Sequence, residues 1–94
     1  MTKTEIKSAL VEVLQDIQQT SGRTCAALTD RSQPIGDLEG FDSLSGVEAT
    51  MFLEQRLGRP LGVESLFVSP TQSRAMRLNE IVEHIALRIA SEAA

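Results

Sequence analysis

Ser43 is the residue best placed to do chemistry. It lies in Gly40-Phe41-Asp42-Ser43-Leu44-Ser45-Gly46-Val47-Glu48, after a long aperiodic stretch and at the start of an apolar-periodic one. A serine at the opening of a helix meets unpaired backbone N–H groups and the positive end of the helix dipole, which suit an attached or bound phosphate. The same hydroxyl is poorly equipped as a nucleophile, which needs an adjacent base. The single histidine, His84, stands far down the chain, and a Ser-His-Asp arrangement would require it to fold back onto Ser43. The single cysteine, Cys25, has no basic cluster around it in sequence and reads as an inert loop thiol. One Cys and one His leave no ligand set for a metal site, so none is expected.

Composition narrows the field further. Nine Lys and Arg against 13 Asp and Glu give a net charge of −4, which argues against nucleic acid as a partner. With three Phe and neither Trp nor Tyr, there is no platform for stacking bases or sugars. The amino-terminal residues have no apolar run of the secretory kind, and no stretch approaches the ~18 apolar residues that span a bilayer. A lone cysteine fits a reducing compartment, so the expectation is a cytoplasmic protein without membrane insertion. At 94 residues the chain fits a single domain over 1–94, with its core about 4–91.

The elements that position Ser43 follow from periodicity. Ile6, Leu10, Val13, Leu14 and Ile17 form one stripe of an amphipathic helix over about 4–19. Thr2 and Glu5 have the capping-box spacing at its start, and Gly22 supplies its end. Lys7, Glu12, Gln15 and Gln18 are assigned to its opposite, polar face. Residues 21–42 sustain no period, yet Leu28, Ile35, Leu38 and Phe41 interrupt them, which predicts an ordered loop pinned to the core, with room for a short helical turn. A second long helix is predicted over 43–57, capped by Asp42 and stopped by Gly58 and Pro60, with Leu44, Val47, Ala49, Phe52, Leu53 and Leu57 as its apolar face. A helix of one to two turns is expected at 64–68, where Val68 also suits a β-like turn. Ser69 as cap, Pro70 at the first helical position and Gln72 closing a capping box predict the last helix, carried by Met76, Leu78, Ile81, Val82, Ile85 and Ile89 to about 91, with room for a break at 73–76. The expected fold is all-α: a bundle of three long helices plus one short helix, with a long first loop.

Asp42-Ser43-Leu44 resembles the D-S-L motif of the acyl carrier protein family, the phosphopantetheine-binding carrier domains. Gly40 three residues before the serine, Val47-Glu48 and Leu53-Glu54 resemble the fatty-acid type. Leu66-Phe67-x-x-Pro70-Thr71 resembles the L-F-x-x-P-T signature of peptidyl and modular carriers, at the family's distance from the serine. The resemblance covers roughly 35–85. Glu39 stands where many carriers have leucine, and Gln55 and Arg56 stand where further acids are usual. These departures point to a specialised stand-alone carrier with some peptidyl-carrier-like features.

The resemblance implies an acyl-carrier-protein-like bundle that is monomeric and non-catalytic. Ser43 would carry a covalent 4′-phosphopantetheine arm from coenzyme A, with Asp42 and Leu44 beside it as recognition residues. Acyl intermediates of fatty-acid, polyketide or related biosynthesis would ride on that arm as thioesters. The implied partners are a phosphopantetheinyl transferase and acyl-loading ligases or synthases, which would meet Val47, Glu48, Met51 and Glu54. Bland readings stand beside these. Asp42 and Ser43 suit simple capping. Val47 and Met51 suit core packing, and Glu48 and Glu54 a solvated face. Leu66, Phe67 and Ile81 read as core, His84 as a boundary residue, and Arg74, Arg77 and Arg88 as a solvated helical face. An aminoacyl or peptidyl carrier, an unmodified helical adaptor of the same fold, and a small hydrolase using Ser43 and His84 are the alternative functions.

Overall fold

The computed structural model describes residues 2–25, 27–69 and 74–93. Helix α1 (Lys3–Thr20) opens on the expected capping box: the Glu5 N–H donates to Thr2 Oγ1 at 3.2 Å, and the Thr2 N–H to Glu5 Oε1 at 3.0 Å. It closes with Gly22 N–H donating to the Gln19 carbonyl and Arg23 N–H to the Gln18 carbonyl, a Schellman arrangement that satisfies the last carbonyls. Ile6, Leu10, Val13 and Leu14 are buried, as the stripe predicts. Gln18 is a correction: assigned to the polar face, it is fully buried. It continues the i, i+4 row of Leu10 and Leu14, so the helix geometry carries it inward regardless of its polarity.

The first loop is pinned as expected. Leu38 and Phe41 are buried, and Cys25, Leu28 and Ile35 pack against the core from its edge. Its one short helical segment, α2 (Pro34–Asp37), is a single turn closed by Asp37 N–H to the Gln33 carbonyl and Leu38 N–H to the Pro34 carbonyl; Ile35 and Gly36 inside it have non-helical dihedrals. The short helix of this fold therefore lies in the first loop and not at 64–68.

Helix α3 (Ser43–Leu57) has the predicted bounds, with Asp42 at its N-cap and Gly58 closing it. Its buried face differs from the expected one. Gly46, Ala49, Thr50 and Leu53 face inward, whereas Leu44 and Phe52, assigned to the apolar face, are 67% and 49% exposed. The inward row has the spacing of one helical face but mostly small side chains, which lets the helix sit close on its neighbours and leaves the larger apolar residues outside.

The chain after α3 is not helical at 64–68. Val68 forms an isolated antiparallel bridge with Ala75, Met76 N–H donates to the Phe67 carbonyl, and Ser69 N–H donates to the Arg74 carbonyl. Of the two expectations for Val68, the β-like one holds. Helix α4 (Leu78–Ala93) begins later than predicted. Ser69 does not cap it; Pro70, Thr71, Gln72 and Ser73 lie outside the described residues. The first turn of α4 is satisfied from afar: Leu78 N–H donates to the Ser32 carbonyl and Asn79 N–H to the Asp30 carbonyl.

Helix α1 is the hub against which both α3 and α4 pack. One core joins them, in which Leu61, Leu66, Phe67, Leu78, Ile81 and Ile85 are almost completely buried. Lys3–Glu83 ties α1 to α4 and Arg56–Glu12 ties α3 to α1. Among the described residues the fold is all-helical apart from the isolated bridge, and no helix is long and apolar enough to cross a membrane.

Candidate functional site

Ser43 reaches the surface on a braced segment of chain. Gln18 Nε2 donates to the Thr24 carbonyl at 3.1 Å and to the Glu39 carbonyl at 2.8 Å, so a buried α1 side chain holds both ends of the first loop. Thr24 Oγ1 donates to Glu39 Oε2 at 3.0 Å. One residue on, Arg23 Nη1 donates to the Gly40 carbonyl at 2.8 Å. Gly40 has φ of +67°, and a Cβ there would come within 2.7 Å of the Arg23 guanidinium. The backbone conformation favours glycine, and any Cβ there would also push aside the guanidinium at the end of the flexible Arg23 side chain. Phe41 then turns into the core and meets Phe67 edge-to-face, with ring centroids 5.4 Å apart.

The start of α3 is equally fixed. The Asp42 carboxylate accepts from the Ser45 N–H at 2.9 Å and from Ser45 Oγ–H at 3.1 Å. The Ser45 backbone N–H is the main reason its carboxyl is held below the usual aspartate range. Gly46 allows the helix to approach the 65–67 segment: a Cβ there would lie 3.1 Å from Ser65 Oγ and 3.3 Å from Phe67 Cβ. Thr50, buried one turn later, donates from Oγ1 to the Gly46 carbonyl at 2.8 Å and accepts from the Leu66 N–H at 3.0 Å.

On this foundation Ser43 is exposed as the first residue of α3. Leu44 and Met51 are also exposed, at 67% and 56%, with Glu48 exposed and Val47 partly buried. Leu44, Val47, Glu48 and Met51 follow helical spacing and share a face running from Ser43 along α3. Glu54 is engaged elsewhere: its Oε2 accepts from the Leu61 N–H at 2.7 Å, bracing the turn after α3. Arg56 is paired with Glu12.

Among the described residues no base is hydrogen-bonded to Ser43. The Asp42 carboxylate is directed to Ser45. His84, on α4, accepts at Nε2 from Arg88 Nε at 3.4 Å, and burial, followed by the Arg88 charge, lowers its pKa. Among the described residues no hydrogen bond links His84 to Ser43. Cys25 is partly buried, and that burial raises its thiol pKa, which disfavours the reactive thiolate. Arg74 is paired with Glu80, and Arg88 with His84, so Arg74, Arg77 and Arg88 do not act as one basic strip.

Gln18, Arg23 and Thr50 support the site and were not legible as such. The i, i+4 spacing from Leu14 is the one local signal for Gln18; Gly40, the partner of Arg23, and Leu66, the second partner of Thr50 beside Gly46, lie 16 or more residues away. Compared with models of protein families, with curated proteins and with solved structures, the chain matches none.

Proposed function

We propose that this chain is a phosphopantetheine carrier of the acyl carrier type, modified on Ser43. The observation that carries the reading is an exposed serine at the first position of a helix anchored through Asp42 and Thr50, with no base hydrogen-bonded to it among the described residues. A group that needs solvent access and a firm anchor, and no local catalysis, fits that place. The positive end of α3 favours the negative charge of a phosphodiester. In the attachment step Ser43 Oγ forms a bond to the phosphorus bearing pantetheine. The phosphoanhydride of coenzyme A breaks, adenosine 3′,5′-bisphosphate leaves, and the hydroxyl proton passes to the transferase. When bound, the arm supplies a thiol that holds acyl groups as thioesters.

The chain's own residues then act as anchor and docking face. Asp42 fixes the helix start, and Leu44, Val47, Glu48 and Met51 lie beside the arm, where a transferase and acyl-loading enzymes would meet them. Glu54 contributes to the turn after α3 more than to docking. The non-helical 64–68 segment departs from a four-helix carrier with its short helix at that place, which favours a specialised member. A monomeric, cytoplasmic carrier is the expected setting.

The test is incubation of the unmodified chain with a promiscuous phosphopantetheinyl transferase, coenzyme A and Mg²⁺, followed by intact mass. Wild type gains one phosphopantetheine and Ser43→Ala gains none. A helical adaptor would leave wild type unchanged. A hydrolase would lose activity on His84→Ala, a change that leaves loading intact in a carrier.

A further inference from the structure

We propose that the groove between α1 and α3 docks a basic amphipathic helix of a partner protein. The groove has a volume of about 560 Å³. Val13 lies at its floor, and Ile17 from α1 and Phe52 from α3 form its apolar walls. Phe52 is 49% exposed, a large apolar side chain left uncovered at the mouth. Each wall also contributes one carboxylate, Asp16 from α1 and Glu48 from α3, and no side chain of the described residues pairs with either. The cation lining the groove, Arg56, is already neutralised by Glu12. An apolar slot flanked by two uncompensated acids is complementary to apolar anchors flanked by Lys or Arg.

The dimensions select a helix. The lining runs from Val13 to Thr20 on α1 and from Glu48 to Arg56 on α3, or about two helical turns at ~1.5 Å per residue. That length takes one or two anchor side chains spaced i, i+4, the pattern of helix-in-groove recognition. A second copy of this chain is a poor occupant, since it carries the same net charge of −4 and the same acidic groove. The proposal does not use Ser43 and holds for the unmodified chain, so its failure and the failure of the carrier reading are separate results.

The test is titration of the ¹⁵N-labelled, unmodified full chain with a synthetic helical peptide that has Leu on one face and Lys on both flanks. A control peptide carries Glu in place of every Lys. The Lys peptide is expected to give saturable shifts centred on Val13, Asp16, Ile17 and Phe52, and the Glu peptide none. Phe52→Ala, at an exposed position, should weaken binding about tenfold, as removal of an aromatic anchor does. The pair Asp16→Asn and Glu48→Gln should weaken it about fivefold at low salt, with the difference closing at high salt. Absence of saturable shifts, equal binding of the Glu peptide, shifts confined to Leu44 and Met51, or variants that bind like wild type would each overturn the proposal.

Discussion

Replacing Thr50 with Val probes the link that holds the start of α3 against the chain behind it. Valine keeps the shape and helical placement but cannot accept the Leu66 N–H, which lies 3.0 Å from Thr50 Oγ1. Thr50 is 1% exposed and Leu66 fully buried, so water cannot take over the bond. An orphaned buried donor costs about 1–3 kcal/mol. The Gly46 carbonyl loses only its second donor, because the helix's own bond from the residue-50 N–H remains. The added methyl group returns at most about 0.8 kcal/mol. With the full methyl return the net loss is about 0.2–2.2 kcal/mol, which for a domain of this size lowers Tm by roughly 1–18 °C. Urea unfolding should show a lower midpoint at unchanged slope. Hydrogen exchange isolates the cause: the Leu66 amide should exchange at least about tenfold faster in Thr50→Val, beyond the change in global stability, and stay protected in Thr50→Ser. A Thr50→Val protein with wild-type stability and a protected Leu66 amide would refute the reasoning.

The remaining predictions concern the first loop and acid stability. Gly40→Ala forces a left-handed alanine against Arg23 and should cost about 1–2 kcal/mol by urea unfolding, with a smaller cost when Arg23 is also replaced by Ala. Gln18→Leu removes two donors but also a buried amide oxygen, Oε1, without a partner among the described residues. Global stability should change little, while protease cleavage between 23 and 41 speeds up. Glu80 is held down to about 2, chiefly by its hydrogen bonds from Arg74 and then by the Arg77 N–H. A carboxylate lowered by folding stabilises the native state above its unfolded pKa and loses that contribution as pH falls. Thermal melts should therefore decline between about pH 4.5 and 2, and Glu80→Gln should flatten that decline.

Local signals were legible and long-range ones were not. The Thr2–Glu5 capping box, the stripe of α1, Asp42 as a cap and Gly58 as a stop each depend on neighbours a turn away, and each appears as read. The start of α4 is not legible locally, because its first N–H groups are satisfied by the Ser32 and Asp30 carbonyls, more than forty residues back. The 64–68 segment reads as a short helix because it is apolar but too brief for a full one; the bridge from Val68 to Ala75 and the bond from the Leu66 N–H to Thr50 hold it instead as a bent, non-helical stretch. On α3, side-chain bulk does not track burial. The inward row is Gly46, Ala49, Thr50 and Leu53, and the large side chains Leu44, Met51 and Phe52 remain outside. At the site, Asp42-Ser43-Leu44 was visible as a motif, whereas the brace from Gln18 and Arg23 emerges only when the loop folds onto α1.

Peptide mapping of the protein purified from its native host tests the central claim most directly. Trypsin releases residues 32–56 as one peptide, since Arg31 and Arg56 bound a stretch without Lys or Arg. That peptide contains Ser32, Ser43 and Ser45, so fragmentation can tell the exposed first residue of α3 from the serine that Asp42 engages. The account predicts one phosphopantetheine, with or without cargo, on Ser43 alone. A peptide of unmodified mass, or a group on Ser32 or Ser45, would contradict it.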